Sequence, residues 1–128
     1  MTPRRKRATI LIADDQPDIR KLIRMTLECE PSYDIVEASD GATAWTQLCT
    51  HRPHVFIVDV KMPSISGLDL CRMIRSSADL EHTSVIMISA QAQRSDIEQG
   101  IKVGCDRYMT KPFSAVELYN TVDLLIDK

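Results

Sequence analysis

Acidic side chains follow two apolar runs of this chain in an arrangement that suits a metal ion. Asp59 comes directly after the apolar residues 55–58, and the pair Asp14 and Asp15 follows a second apolar run at residues 8–13. If both runs are parallel strands, their carboxyl ends lie at one edge of a sheet, where open α/β sheets bind ligands. Carboxylates that lie close together raise one another's pKa unless a cation lies among them. Two or three such oxygen ligands suit Mg²⁺, and we predict a magnesium site at this edge.

Plain structural roles are also open to these acids. Asp59 could simply end a strand or cap a helix. Pro17 is well suited to open a helix, and an acid near a helix N-terminus is favoured by the helix dipole. Either Asp14 or Asp15 could therefore be a cap, but two acids together at a strand end are less easily explained in this way.

A hydroxyl and an ammonium group follow two further strand-like runs. Ser89 comes after the apolar residues 85–88, and Lys111 follows a short run that includes Met109. Beside bound Mg²⁺, a lysine and a hydroxyl could take the remaining oxygens of a phosphoryl group. Considered alone, Ser89 could cap a turn and Lys111 could be a solvated surface charge. A lysine directly before Pro112 in a strand-end loop is nevertheless better held than most.

The elements that would position these side chains alternate along the chain. The unbroken apolar run before Asp59 is typical of a strand buried on both faces, which indicates a parallel sheet covered by helices on each side. Five strand-like runs alternate with five helix-like segments, a pattern that predicts an α/β fold with one parallel sheet. Capping boxes at Ser95 and Ser114 predict the starts of the last two helices. The predicted strands are residues 8–13, 33–38, 55–59, 84–88 and 106–109.

Length and composition favour one cytoplasmic domain. The chain has 128 residues and a net charge of −2, and we expect a disordered basic tail at residues 1–7 before a domain at residues 8–128. No stretch approaches the roughly 20 apolar residues of a membrane span, and no apolar segment follows the basic start as in a signal peptide. The four cysteines are widely spaced, which favours a reducing setting over a zinc site. We expect neither membrane insertion nor direct nucleic-acid binding.

Five short motifs stand at the ends of the predicted elements. They are I-A-D-D at residues 12–15, V-D-V-K-M-P at 58–63, Gly67, I-S-A at 88–90 and Y-M-T-K-P-F at 108–113. In this order, the motifs resemble those of the receiver domain of two-component response regulators, and the resemblance covers residues 8–127. It implies a flavodoxin-like sheet with the strand order 2-1-3-4-5 and five helices on both faces.

The resemblance also implies a role for each candidate residue. Asp59 would be the phosphoacceptor, and its carboxylate would attack the phosphorus of a phosphohistidine on a partner kinase. Asp15, Asp59 and the backbone carbonyl of Lys61 would bind Mg²⁺ directly, whereas Asp14 would act through a metal-bound water. Lys111 would pair with the Asp59 carboxylate before phosphorylation and with the phosphate after it.

Two further residues would connect the phosphate to the protein surface. Ser89 would donate a hydrogen bond to a phosphoryl oxygen, and Tyr108 matches the aromatic switch position of the family. If Ser89 moves toward the phosphate, Tyr108 could turn inward and change the surface formed by the fourth helix, fifth strand and fifth helix. The alternative is that Tyr108 is a static, half-buried side chain.

The resemblance implies protein partners on both sides of the switch. The phosphodonor would be a sensor histidine kinase or a phosphotransfer protein. The receiver of the signal would be a downstream target protein or an output domain beyond this sequence. A homodimer is left open by the sequence.

Two other protein classes use related architecture. Phosphatases of the haloacid-dehalogenase type have a strand-end aspartate and Mg²⁺, but they need a second acid two residues later, where this chain has Lys61. A flavin-binding relative would need a phosphate loop rich in Gly, Ser and Thr, which the loops here lack. We therefore expect a switch that catalyses only its own phosphorylation and dephosphorylation, and not an enzyme with an external substrate.

Overall fold

Strands and helices alternate through the whole described part of the molecule. The computed structural model describes residues 7–127. The strands are β1 (Ala8–Ala13), β2 (Tyr33–Ala38), β3 (Val55–Asp59), β4 (Ser84–Ser89) and β5 (Arg107–Thr110). The helices are α1 (Pro17–Leu27), α2 (Gly41–His51), α3 (Gly67–Arg75), α4 (Arg94–Lys102) and α5 (Ala115–Ile126). The strands form one parallel sheet in the order β2-β1-β3-β4-β5, which confirms the predicted fold.

The central strand β3 is apolar because both of its faces are covered. All five of its residues are buried. Phe56 packs in a cluster with residues of α2 and α3, such as Leu48 and Leu70. Ile57, on the other face, packs in a second cluster with residues of α1 and α5, such as Ile23 and Val122. These two apolar layers fix the sheet rigidly, and its carboxyl edge is left open to carry polar side chains.

Three of the predicted elements have boundaries that differ from the structure by one or two residues. The predicted capping box at Ser95 is wrong because α4 begins at Arg94, with Gln93 as its N-cap. The side chain of Asp96 accepts a hydrogen bond from the backbone N–H of Gln93 at 3.2 Å, so the box lies two residues earlier. β5 runs from residue 107 to 110 rather than from 106 to 109, and β4 extends through Ser89.

The other predicted capping motif lies where expected. The hydroxyl of Ser114 accepts a hydrogen bond from the backbone N–H of Glu117 at 3.2 Å, at the start of α5. At the other end of α4, Gly104 follows the C-cap Val103 and has a φ of 106°, a left-handed conformation that favours glycine.

The start of the described chain bears on the predicted tail. Residues 1–6 of that tail lie outside the described residues. The guanidinium of Arg7, the last residue of the predicted tail, pairs with Asp34 on β2, and its Nε donates to Asp34 Oδ2 at 3.0 Å. None of the helices within residues 7–127 has the length and apolar character that spanning a bilayer requires.

The positions of the two caps can be tested with two serine variants. Ser114→Ala should lower the free energy of unfolding by about 1 kcal/mol, because the N-terminus of α5 loses its side-chain acceptor. Ser95→Ala is the matched control: Ser95 lies inside α4, so its replacement should change stability little. Urea unfolding followed by circular dichroism measures both. A loss at Ser95 equal to that at Ser114 would contradict the helix start described here.

Candidate functional site

Three carboxylates converge at the carboxyl edge of the sheet. Asp14 and Asp15 follow β1, Asp59 ends β3, and the two strands are paired neighbours in the sheet. One carboxylate oxygen from each residue lies within 4.8 Å of the others. Asp14 and Asp59 are buried, with 1% and 7% of their surfaces exposed, whereas Asp15 is exposed. The predicted metal ligands are therefore brought together, and their hard oxygen atoms fit Mg²⁺.

Lys111 compensates part of this negative charge. Its Nζ donates to Asp59 Oδ2 at 2.9 Å, to Asp14 Oδ2 at 3.1 Å and to Gln16 Oε1 at 3.0 Å. Only 13% of its side chain is exposed. Burial lowers the pKa of Lys111, but the bonds to Asp59 and Asp14 outweigh that effect and raise its pKa overall. The ammonium therefore remains charged in the site.

Asp14 is held in an environment that disfavours its charge. Burial raises the pKa of Asp14, and the negative charge of Asp59 adds to this rise. Hydrogen bonds from the backbone N–H of Gln16, at 2.9 Å, and from Lys111 lower the pKa without reversing the shift. The carboxylate of Asp14 would therefore gain from an additional cation at this edge.

The loop after β3 lies tightly against the site. The backbone N–H of Lys61 donates to Asp59 Oδ1 at 3.1 Å, and the Lys61 side chain is exposed. A Cβ atom at Gly67 would lie 2.4 Å from the carbonyl oxygen of Asp59, and one at Gly41 would lie 2.1 Å from that of Ile65. Only glycine permits both approaches, which fix the loop that carries Lys61. Coordination of a metal by the Lys61 carbonyl stays a prediction.

Ser89 and Tyr108 are linked through one loop residue. Ser89 is 1% exposed, and its hydroxyl accepts a hydrogen bond from the backbone N–H of Gln91 at 3.0 Å. The hydroxyl of the half-buried Tyr108 donates to the carbonyl of Gln91 at 2.7 Å. Burial raises the pKa of Tyr108, although a hydrogen bond with Ser89 lowers it in part. Gln91 therefore contacts both side chains, so a displacement of Ser89 would alter the hydrogen bonding of Tyr108.

The backbone joins these two residues to Lys111. The N–H of Lys111 donates to the carbonyl of Ser89 at 2.8 Å, so the ends of β4 and β5 are tied together beside the acids. The peptide bond between Lys111 and Pro112 is cis. The residues predicted for the second half of the site therefore follow two paired strands at the same edge of the sheet.

Two residues of the site were missed by the sequence analysis. Gln16 contacts Lys111, and Nη1 of Arg20 donates to the backbone carbonyl of Asp14 at 2.8 Å. Nε of Arg20 also donates to Glu37 on β2 at 3.1 Å. The only sequence signal for Gln16 is its place directly after the acidic pair. Arg20 has no such signal, because its role depends on how α1 packs beside β2.

Comparison with protein-family models matches residues 10–123 to the response regulator receiver domain. The chain belongs to this family. It is 39% identical over 109 residues to the response regulator GtcR of Aneurinibacillus migulanus, which covers 85% of this chain and 43% of the relative. It is 32% identical over 119 residues to the chemotaxis protein CheY of Pseudomonas aeruginosa, covering 93% of this chain and 96% of the relative.

Solved receiver domains share the fold. The receiver domain of the Francisella response regulator 1452 superposes with a TM-score of 0.86 at 32% identity, covering 94% of this chain and 97% of that one. The chain spans less than half the length of several curated relatives, including GtcR, but nearly all of CheY. Family membership decides against the phosphatase and flavin-binding alternatives, since receiver domains are signalling switches.

Removing the charge of Asp14 should stabilise this receiver domain. Because burial raises the pKa of Asp14, its ionised form costs stability at every pH above that pKa. Asp14→Asn keeps an oxygen acceptor without the charge. We expect the free energy of unfolding at pH 7, measured with urea and EDTA, to rise by roughly 0.5–2 kcal/mol. The gain should shrink as the pH falls through the pKa of Asp14, because the wild-type carboxyl then becomes neutral too.

Asp40→Asn is the matched control for this change. Backbone and side-chain hydrogen bonds from Thr43 lower the pKa of Asp40, so its charged form is favoured in the fold. The same replacement at Asp40 should therefore give no gain at pH 7. An Asp14→Asn protein no more stable than wild type would contradict the unfavourable environment described for Asp14.

Proposed function

We propose that this receiver domain accepts a phosphoryl group on Asp59 from a histidine kinase or a phosphotransfer protein, with Mg²⁺ as cofactor. The observation that carries the proposal is the position of the Lys111 ammonium, which bonds to both Asp59 and Asp14 beside the exposed carboxylate of Asp15. One acceptor, one fixed cation and a set of metal ligands are the parts that phosphoryl transfer requires.

The contacts of Asp59 support its role as the acceptor. The backbone N–H of Lys61 and the ammonium of Lys111 orient its two oxygens separately. In the transfer, a carboxylate oxygen forms a bond to phosphorus as the bond from phosphorus to the donor imidazole breaks. Lys111 neutralises charge on the transferred group, and the hydroxyl of Ser89 can donate to one of its oxygens. When bound by Asp15 and Asp59, with Asp14 acting through a water, Mg²⁺ would neutralise further charge on the phosphoryl oxygens.

The link between Ser89 and Tyr108 supports a switch at the surface of α4, β5 and α5. A Cβ atom at Gly100 would lie 2.8 Å from Cδ2 of Tyr108, so the ring lies directly against the backbone of α4. Recruitment of Ser89 to a phosphoryl oxygen would disturb the bonds that Gln91 makes with both side chains. A movement of the Tyr108 ring would then shift α4, although α4 itself does not contact the phosphate.

The lengths of the relatives suggest two kinds of partner for this surface. GtcR is a longer response regulator, whereas the CheY relative is matched over 96% of its length. We propose that the switched surface contacts either an attached output domain or a separate target protein, with a homodimer as a further use of the same face. The four cysteines are free thiols, which supports a cytoplasmic setting.

Acetyl phosphate with Mg²⁺ tests the acceptor. Intact mass spectrometry should show one added phosphoryl group on the wild-type protein and none on Asp59→Asn. Asp79→Asn, at an exposed acid paired with Arg52 outside the site, is the matched control and should label like wild type. Labelling of Asp59→Asn at the wild-type level would refute Asp59 as the acceptor, and EDTA should abolish labelling if Mg²⁺ is required.

The three tyrosines allow a direct test of the switch. In protein labelled with ¹³C at the tyrosine rings, Mg²⁺ and beryllium fluoride, which mimics a phosphoryl group, should shift the NMR signal of Tyr108. Tyr33, on β2 at the opposite edge of the sheet from β5, serves as an internal control whose signal should stay in place. Tyr108→Phe assigns the signal. A Tyr108 shift no larger than that of Tyr33 would exclude the switch.

A further inference from the structure

Gln16 stands at a helix start without capping the helix. It is the N-cap residue of α1, with extended φ and ψ of −91° and 109°, but its side chain makes no capping hydrogen bond. The residues preferred at this position are Ser, Thr, Asp and Asn, whose short side chains reach the first backbone N–H groups. The longer side chain of Gln16 extends instead to Lys111, and its Oε1 accepts from Nζ at 3.0 Å.

This contact completes the hydrogen bonding of the ammonium group. A lysine ammonium has three N–H donors and no acceptor. Lys111 has three acceptors, namely Asp59 Oδ2, Asp14 Oδ2 and Gln16 Oε1, at 2.9, 3.1 and 3.0 Å. Two of the acceptors are carboxylates, and the third is a neutral amide. Each donor therefore has its own acceptor before any phosphoryl group arrives.

Gln16 also fixes one of the carboxylates that Lys111 contacts. Its backbone N–H donates to Asp14 Oδ1 at 2.9 Å, while the other oxygen of Asp14 accepts from Lys111. Gln16, Asp14 and Lys111 thus form a closed ring of hydrogen bonds, in which the side chain of Gln16 provides the exposed member. The ring sets the direction in which the ammonium points relative to Asp59.

We propose that Gln16 is a positioning residue for phosphoryl transfer, which holds the third N–H of Lys111 until a phosphoryl oxygen takes its place. The inference rests on the proposed function. A phosphoryl oxygen can bond to Lys111 only if one existing acceptor gives way. Before the bond from Asp59 to phosphorus forms, Asp59 and Asp14 are both charged acceptors of Lys111, and bonds between two charged groups are stronger than bonds from a charged donor to a neutral acceptor. The amide of Gln16 is therefore the acceptor released most easily as the phosphoryl group approaches.

A glutamine is better suited to this exchange of acceptors than an apolar side chain or a glutamate. An apolar side chain of the same length would leave one N–H of the ammonium without its acceptor. A glutamate would bind the ammonium with a second charge and add a further carboxylate to Asp14, Asp15 and Asp59. The neutral amide of Gln16 is long enough to hold Lys111 in place, and breaking its hydrogen bond to the ammonium costs little free energy.

Gln16→Met tests the holding step, because methionine keeps the length of the side chain and removes the acceptor. Labelling with acetyl phosphate and Mg²⁺, followed by intact mass, should be about three- to tenfold slower than in wild type. Gln47→Met on α2 is the matched control and should label at the wild-type rate. An unchanged rate in Gln16→Met, with wild type labelling normally, would overturn the inference alone. Failure of wild type to label would instead overturn the proposed function, and the inference with it.

Two NMR signals separate positioning from a purely structural role. The ¹H–¹⁵N signal of the Lys111 ammonium should be present in wild type and in Gln16→Glu, which keeps an oxygen acceptor, and should broaden or disappear in Gln16→Met. In wild type, Mg²⁺ and beryllium fluoride should shift the side-chain amide signal of Gln16 and leave that of Gln47 in place. A Lys111 signal unaffected by Gln16→Met, or a Gln16 amide unaffected by beryllium fluoride, would overturn the proposal.

Discussion

Crowding of negative charge at one edge of the sheet is the constraint on which the site depends. β1 and β3 are adjacent, so the acids that follow them are forced together, and two of the three carboxylates are buried. Lys111 supplies one positive charge from the opposite side. The remaining imbalance is tolerated because two apolar layers hold the strands rigidly in register. The same imbalance favours a cation at this edge, which is what the proposed function requires.

The candidate residues that the structure brings together are those fixed by strand ends. Asp14, Asp59, Ser89 and Lys111 each stand at or just beyond the end of an apolar run, and a parallel sheet brings all such ends to one edge. Hydrophobic periodicity and turn residues were enough to find the strands, whereas their order in the sheet came from the family resemblance. The start of α4 was not found in this way: Ser95 and Glu98 fit the capping-box sequence, whereas the helix has Gln93 as its N-cap, which the sequence pattern does not favour.

Other features could not be read from the sequence because they depend on how the helices, strands and loops pack against one another. The bond from Gln16 to Lys111 joins residues 95 positions apart, and either residue type is common on exposed surfaces. The approach of Tyr108 to Gly100 depends on how closely α4 packs on β5. Arg20 joins the Asp14 carbonyl to Glu37 because α1 lies beside β2. None of these pairings leaves a periodic or local pattern.

Two glycines that pack against the loop after β3 or directly follow it make the two edges of the sheet differ in how much sequence change they can accept. At the carboxyl edge, neither Gly41 nor Gly67 has room for one added carbon: a larger residue at Gly67 would press on the backbone of Asp59, and one at Gly41 would press on Ile65 in the loop that follows. The loops at the amino edge carry none of the acids or the lysine of the site. Sequence changes and inserted segments are therefore tolerated best in the loops at the amino edge of the sheet, which lie away from the acids and Lys111.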